Sequence, residues 1–281
     1  MSDRNGASSQ TPNGDTTDVE PGPKAAAFFD LDRTIIAGSS VFVFGWVAYR
    51  NGLVSNSELM KDTTNAINFK FSGAGDDKTE AVKNRVLDAI VGVPVETLTE
   101  LAEDIIPKLL DDVRREARGL IDLHTHAGRD TYIVSASPVE IVGKFAEAMD
   151  MTGGLGTVAE SNHGIYTGEL AQPFCYGDGK AVAMRKVAKE KGYDLARSYA
   201  YTDSIGDLPM LETVGHPVAV NPDRALEAIA YHRGWPIVEF SRRRKRVVKR
   251  TTAGGGAVAL AILAYALGRA HGRTAGERAA T

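Results

Sequence analysis

The segment from Ala25 to Ile36, AAAFFDLDRTII, constrains this chain more than any other: an apolar run with strand character that ends in two aspartates one residue apart, then a threonine. It sets Asp30 and Asp32 at the carboxyl end of a strand, and in an open α/β sheet ligands are held outside that edge. Residues i and i+2 share one face of an extended strand. Where strand gives way to turn, one carboxylate can stay at the tip while the other swings aside. One can then attack while the other shuttles a proton, the two roles that covalent displacement at phosphorus asks of carboxylates. Thr34 is placed to hold the turn by hydrogen bonding back to it. For this segment alone, two aspartates capping a turn behind a buried strand is the stronger reading.

Three further segments change that balance. Thr131 to Pro138, TYIVSASP, is a second β-rich run, and Ser137, Pro138 and Glu140 behind it have the spacing of a capping box. A helix is expected to run from there through Met149, which sets Ser135 between a strand tip and a helix N-terminus, where free N–H groups favour a phosphate. Gly179-Lys180 opens a helix-patterned run that closes at Gly192. A lysine in the first helical turn opposes the dipole unless an anion sits beside it. Ser198 to Met210, SYAYTDSIGDLPM, is another strand entering a loop, with Asp203 and Asp207 spaced to face one point and suit Mg²⁺. Asp207 is also placed as a helix N-cap before Leu208 and Pro209.

Four such segments in this order resemble the haloacid dehalogenase superfamily of phosphohydrolases, and within it the branch containing phosphoserine phosphatases, from roughly Ala25 to Phe240. A match to four motifs in order is far more specific than any one of them. The resemblance implies an α/β fold, a Rossmann-like parallel sheet core with an inserted helical cap. It implies Asp30 as a nucleophile forming an aspartyl-phosphate and Asp32 as general acid and base. Mg²⁺ would be held by Asp30, the backbone carbonyl of Asp32 and Asp203, with Asp207 in support; Ser135 and Lys180, with Thr34 beside them, would grip the phosphoryl group. Electrostatics agrees independently: an anionic nucleophile and an anionic phosphate repel, so a divalent cation and a lysine must first neutralise the site. One departure falls inside the first motif, where Arg33 replaces the small residue common in the family. Its guanidinium would reach a second anionic group of the substrate or, the favoured placement, point outward to an acid of the cap.

About ninety residues separate the first two motifs, too many for a loop and patterned as helices over 41–51, 57–69, 79–91 and 95–119. A cap of this kind excludes water and selects the substrate. In phosphoserine phosphatases a glutamate shortly after the first motif meets the substrate's amino group. Here that stretch reads Ala37-Gly38-Ser39-Ser40, without an acid, and VFVFGW follows. The latter is cap core or a lining for a greasy substrate tail. Arg85 is a loose match to the family's cap arginine.

The expected layout is a disordered tail over 1–23, a core formed by 24–37 and 120–240, a cap over 38–119, a basic linker over 241–250, an apolar helix over 251–268 and a short tail over 269–281. Leu155 to Glu169 reads as Gly-rich turns and a hairpin, GHPVAVNPD as a late strand, Asp223 to His232 as a helix and PIVEF as a last strand. His124, His126 and His163 could suggest metal, but the first two diverge at a helix end and read as solvated or capping. The net charge of −3 points to no nucleic-acid partner, and a lone cysteine, Cys175, excludes an internal disulfide and fits a reducing compartment. Met1 to Pro23 has no apolar stretch of the secretory kind.

At the other end, seven basic residues between Arg242 and Arg250 precede the uncharged run Thr251 to Gly268, and three follow it. Eighteen helical residues span about 27 Å, near the thinnest bilayer core. The charge bias would keep the catalytic part cytoplasmic, on the inner face of the membrane. The expected activity is thus magnesium-dependent hydrolysis of a phosphomonoester, either a small metabolite or a lysophospholipid-type phosphate. The alternatives are a phosphoserine phosphatase proper, or a membrane-tethered regulatory or binding protein on the same scaffold.

Overall fold

The structure, a computed structural model, describes residues 24–40, 43, 44, 47, 83, 84, 87, 88 and 90–240. Six parallel strands form one sheet: β1 (Ala26–Asp30), β2 (Asp130–Pro138), β3 (Gly153–Thr157), β6 (Tyr199–Thr202), β7 (His216–Val220) and β8 (Ile237–Val238), in the order β3-β2-β1-β6-β7-β8. β4 (Ala159–Asn162) and β5 (Ile165–Leu170) make a separate antiparallel hairpin, as the Ile-Tyr-Thr run predicts. The described helices are α1 (Val95–Asp111), α2 (Arg115–His126), α3 (Val139–Ala148), α4 (Asp178–Lys191), α5 (Leu208–Glu212) and α6 (Arg224–Arg233).

Every residue of β1 is buried. Ala27 and Phe29 pack with Ile121, Ile133 and Phe145 on one face, and Ala26 and Phe28 with Tyr132, Met184 and Met210 on the other. A strand covered on both faces must read as an unbroken apolar run, which is why AAFF precedes the first aspartate. From β1 the chain builds outward through β2 and β3, then returns to lay β6, β7 and β8 on the other side of β1. The crevice between β1 and β6 is therefore the switch point at which ligands bind in such sheets.

The single helix expected over 95–119 is two helices, α1 and α2, broken at 112–114. Val113 pairs antiparallel with Ile36, the Ala37 N–H donates to Asp112 O at 2.9 Å, and the Arg114 N–H donates to Ile35 O at 2.9 Å. Backbone groups claimed by that neck cannot also serve a helix. Past the break, α2 packs on β1 and β2. The capping box expected at Ser137 is also absent. β2 stays paired through Pro138, opposite Thr157, so Pro138 takes the N-cap position of α3 and no side chain caps it. Leu155 to Thr157, the start of the stretch expected to form Gly-rich turns, instead belongs to β3. A Cβ on Gly154 would lie 2.6 Å from the Val142 backbone, so only glycine lets this strand approach α3.

Of the candidate cap helices, 57–69 lies outside the described residues, as does most of 41–51 and 79–91. Phe44, Val47, Leu87 and Ile90 are described and buried in the main apolar cluster. The tails over 1–23 and 241–281, with the basic run and the apolar segment 251–268, also lie outside. No helix among the described residues is long and apolar enough to cross a membrane.

His124 departs from the solvated role expected of it. It is 1% exposed, and Arg129 Nε donates to its Nδ1 at 2.7 Å, which leaves Nε2–H to donate to the Tyr201 hydroxyl at 2.7 Å. His126 remains at the surface, with Nδ1 on Asp122 O, and His163 sits exposed in the hairpin turn. Burial, helped by Arg129, pulls the His124 pKa from 6.5 down to about 4. The folded protein thus holds His124 neutral while the unfolded chain takes up a proton below its ordinary pKa. This contribution is complete above the unfolded pKa and is lost as pH falls toward the folded one. Between about pH 7 and about pH 5 it removes about 2 kcal/mol. Urea unfolding of the wild type and His124→Gln at both pH values checks this: the wild-type advantage is expected to shrink by that amount at the lower pH, and a constant difference would contradict it.

Candidate active site

Asp30 closes β1, level with Val134 of β2, so Ser135 stands one residue beyond it on the neighbouring strand. On the other side Phe29 is level with Tyr201, which sets Thr202 beside Asp30 and Asp203 just past the tip of β6. Strand ends thus bring together residues more than a hundred positions apart.

Lys180 joins them. It lies in the first turn of α4, is 3% exposed, and its Nζ donates to Asp30 Oδ1 at 2.5 Å and to Asp207 Oδ2 at 2.9 Å. The anions that a lysine at a helix start requires are therefore supplied by the site itself. A Cβ on Gly179 would fall 1.7 Å from Phe174 O, so only glycine permits the close pass that delivers Lys180. Burial opposes the Lys180 charge, but Asp207 and Asp30 outweigh it and keep the ammonium protonated.

Asp207 occupies the N-cap position of α5, yet its side chain caps nothing. Its Oδ2 accepts from Lys180 and from Thr202 Oγ1 at 2.6 Å. The loop carrying Asp203 and Asp207 is braced by Asp223, whose Oδ2 accepts from Ile205 N at 3.0 Å and whose own N–H donates to Asp203 O at 2.8 Å.

Asp32 leaves the strand direction, as a turn after β1 predicts. Leu31–Ile35 forms one wide turn closed by the Ile36 N–H on Leu31 O at 3.1 Å. Asp32 Oδ1 accepts from Ser40 N at 2.7 Å and Oδ2 from Ser39 Oγ at 3.1 Å. Burial raises its pKa, and the Ser40 and Ser39 donors pull in the other direction. Thr34 does not brace this turn as expected: its Oγ1 is buried without a partner, and backbone hydrogen bonds hold the loop instead. Ser135 is buried, with Oγ accepting from Ser137 N at 3.2 Å, so its hydroxyl proton is free to be donated elsewhere.

Arg33 is drawn to the core of the site. Its Nε lies 2.7 Å from Asp203 Oδ2, an acid of the core. Arg85 lies outside the described residues. Ser39, Ser40, Thr202 and Asp223 also belong to the site, though no sequence motif singles them out. Only Asp223 had a usable signal, an acid just past a strand end in NPD; the other three are ordinary hydroxyl residues whose partners come from elsewhere in the chain.

Burial raises Asp30 to about 8, against the pull of Lys180, with Asp207, Asp203 and Asp32 adding to the rise. Asp203 rises to about 7, again through burial, although Arg33 opposes it. Four clustered carboxyl groups face two cations, so the site is short of positive charge when they ionise. Among the described residues no three acidic, histidine or cysteine side chains close around a common point fit for a metal; Lys180 and Arg33 are paired with three of the acids. The chemistry of the donors, hard oxygens short of positive charge, fits Mg²⁺.

A parallel α/β sheet with a lysine-bridged carboxylate pair at its switch point defines a class of protein suited to displacement at an anionic centre. The model of the haloacid dehalogenase-like hydrolase family matches residues 27–212, and the chain belongs to that family. A Mycobacterium tuberculosis protein named Probable phosphatase Rv3661 is 43% identical over 237 residues, covering 83% of this chain and 80% of its own. Phosphoserine phosphatase SerB1 of the same organism is 37% identical over 223 residues, covering 79% and 72%. Among solved structures, a protein of unknown function from Bordetella pertussis superposes with a TM-score of 0.65 at 26% identity, covering 77% of this chain and 98% of that one.

Proposed function

We propose that this chain is a phosphomonoesterase that hydrolyses its substrate through a phosphorylated Asp30. The observation that carries the reading is the Lys180 bridge, which fixes Asp30 at the strand tip and neutralises part of the acid cluster beside it. One Asp30 carboxylate oxygen attacks phosphorus while the bond to the leaving alkoxide breaks. Asp32, whose affinity for a proton is raised by burial, gives its proton to that alkoxide. Asp32, now a carboxylate, then takes a proton from a water that attacks the same phosphorus, and phosphate leaves with Asp30 restored. Ser135 donates its free hydroxyl proton to the phosphoryl oxygens, and Lys180 offsets their charge.

Haloacid dehalogenase phosphatases are in general Mg²⁺-dependent, and here Asp30, Asp203, Asp207 and the Asp32 carbonyl would hold the ion. When bound, it supplies the positive charge that lets an anionic nucleophile meet an anionic phosphate. Phosphate release from a panel of small-molecule and lysophospholipid-type monoesters, with Mg²⁺ and with chelator, tests this. Release only with Mg²⁺ is expected, and no release from any monoester would refute it.

The neutral stretch Ala37-Gly38-Ser39-Ser40 argues against a zwitterionic amino-acid phosphate: both serines turn to Asp32, and none of the four offers a charge to an ammonium group. Ser39→Ala is expected to cut kcat about fivefold with KM unchanged, by loosening the acid. The loss should be larger for alkyl than for aryl phosphates, whose leaving groups need less protonation. Equal losses would contradict the role given to Asp32. The basic run and the uncharged segment over 242–268 support attachment of this activity to the inner membrane face.

A further inference from the structure

Arg33 has a backbone conformation that its residue type does not favour. Its φ is 61°, and the other non-glycine residues with positive φ among those described are Asp150, His163 and Asn221. Those three are types that tolerate the left-handed region; an arginine gains nothing locally there, so what holds it must lie further off. Two contacts do so. Its N–H donates to Gly38 O at 2.9 Å, and its Nε pairs with Asp203 Oδ2 at 2.7 Å.

The pairing is lopsided. The Asp203 side chain is 6% exposed and that of Arg33 is 32% exposed, so the acid is fixed in the wall while the guanidinium reaches in from the rim. Lys180 serves Asp30 and Asp207, which leaves Arg33, among the described residues, as the cation that contacts Asp203. Arg114 stands within electrostatic reach of Asp203, but its Nε is buried without a partner. The Asp203 oxygen committed to the guanidinium at this distance is not free to ligate an ion, and the guanidinium charge repels a cation that approaches the other oxygen.

We infer that Arg33 is a built-in counter-cation for Asp203 that an incoming divalent ion must displace, so that residue 33 sets how tightly this chain holds its metal. The inference rests on the reading of Asp203 as a metal ligand. It accounts for how a chain with four clustered carboxylates stays folded before the ion arrives: Arg33 offsets the charge at Asp203, and the ion pair offsets the backbone strain.

Calorimetric titration of Mg²⁺ into the purified full-length protein, with thermal unfolding in chelator, tests this. Arg33→Asn removes the charge while keeping a residue that tolerates the φ. It is expected to bind Mg²⁺ about tenfold more tightly, to unfold at a lower temperature than wild type in chelator, and to gain more from added Mg²⁺. Arg33→Gly, whose backbone is at ease here, carries the same affinity prediction should the asparagine variant fold poorly. Arg33→Lys restores a cation and should move the affinity back toward wild type. Unchanged or weaker Mg²⁺ binding in Arg33→Asn and Arg33→Gly, with Asp203→Asn unable to bind, would overturn the displacement and leave Asp203 as a ligand shared with Arg33. Full Mg²⁺ affinity in Asp203→Asn would refute the ligand assignment itself.

Discussion

Asp30→Asn is expected to abolish phosphate release, lowering kcat by at least about 10⁴-fold, while the protein stays folded. The amide cannot act as the attacking anion, and no other described carboxylate takes its place: Asp32 is held aside by Ser39 and Ser40, and Asp207 is held by Lys180 and Thr202. The same change removes one of several like charges in a buried cluster, with Lys180 still paired to Asp207. Stability in chelator should therefore be equal to or above that of wild type. Steady-state assays beside urea unfolding give both numbers. An active Asp30→Asn protein would contradict the covalent route.

Lys180→Met should do the opposite to the fold. Lys180 touches two carboxylates from a position 3% exposed. Methionine fills much of the space but leaves Asp30 and Asp207 facing each other with no cation between them. Breaking a buried pair from one side costs about 3–5 kcal/mol, because the abandoned charge stays buried. A large fall in the urea midpoint at unchanged slope is expected, together with loss of activity. Adding Asp30→Asn to Lys180→Met should recover part of the stability and none of the activity. If Lys180→Met unfolds at the wild-type midpoint, the bridge does not hold the site together.

Part of the site was legible in the sequence. Asp30, Lys180, Asp203 and Asp207 could be placed because each sits where a regular element begins or ends. An apolar run fixes the strand, the strand fixes its carboxyl end, and the fold fixes what that end faces. Lys180 carried a further local signal, a cation at the wrong end of a helix. What failed depended on partners distant in sequence. Arg33 faces Asp203, 170 positions on, and nothing near Arg33 distinguishes that acid from one in the cap. His124 is buried because Tyr201 and Arg129 satisfy both ring nitrogens, whereas its own helix suggested solvent. The break at 112–114 and the lost capping box at Ser137 have one cause. In both places backbone pairing with another segment, Ile36 in one case and Thr157 in the other, overrode a pattern that favoured helix.

The most direct test is to quench a reaction with a phosphomonoester and Mg²⁺ in acid within the first turnovers and map the modified peptides by mass spectrometry. A peptide carrying Asp30 is expected to gain the mass of one phosphoryl group, and the gain should vanish in Asp30→Asn. A phosphoryl group found on any other residue, or none in an enzyme that is turning over, would contradict the central claim that Asp30 takes up the phosphoryl group.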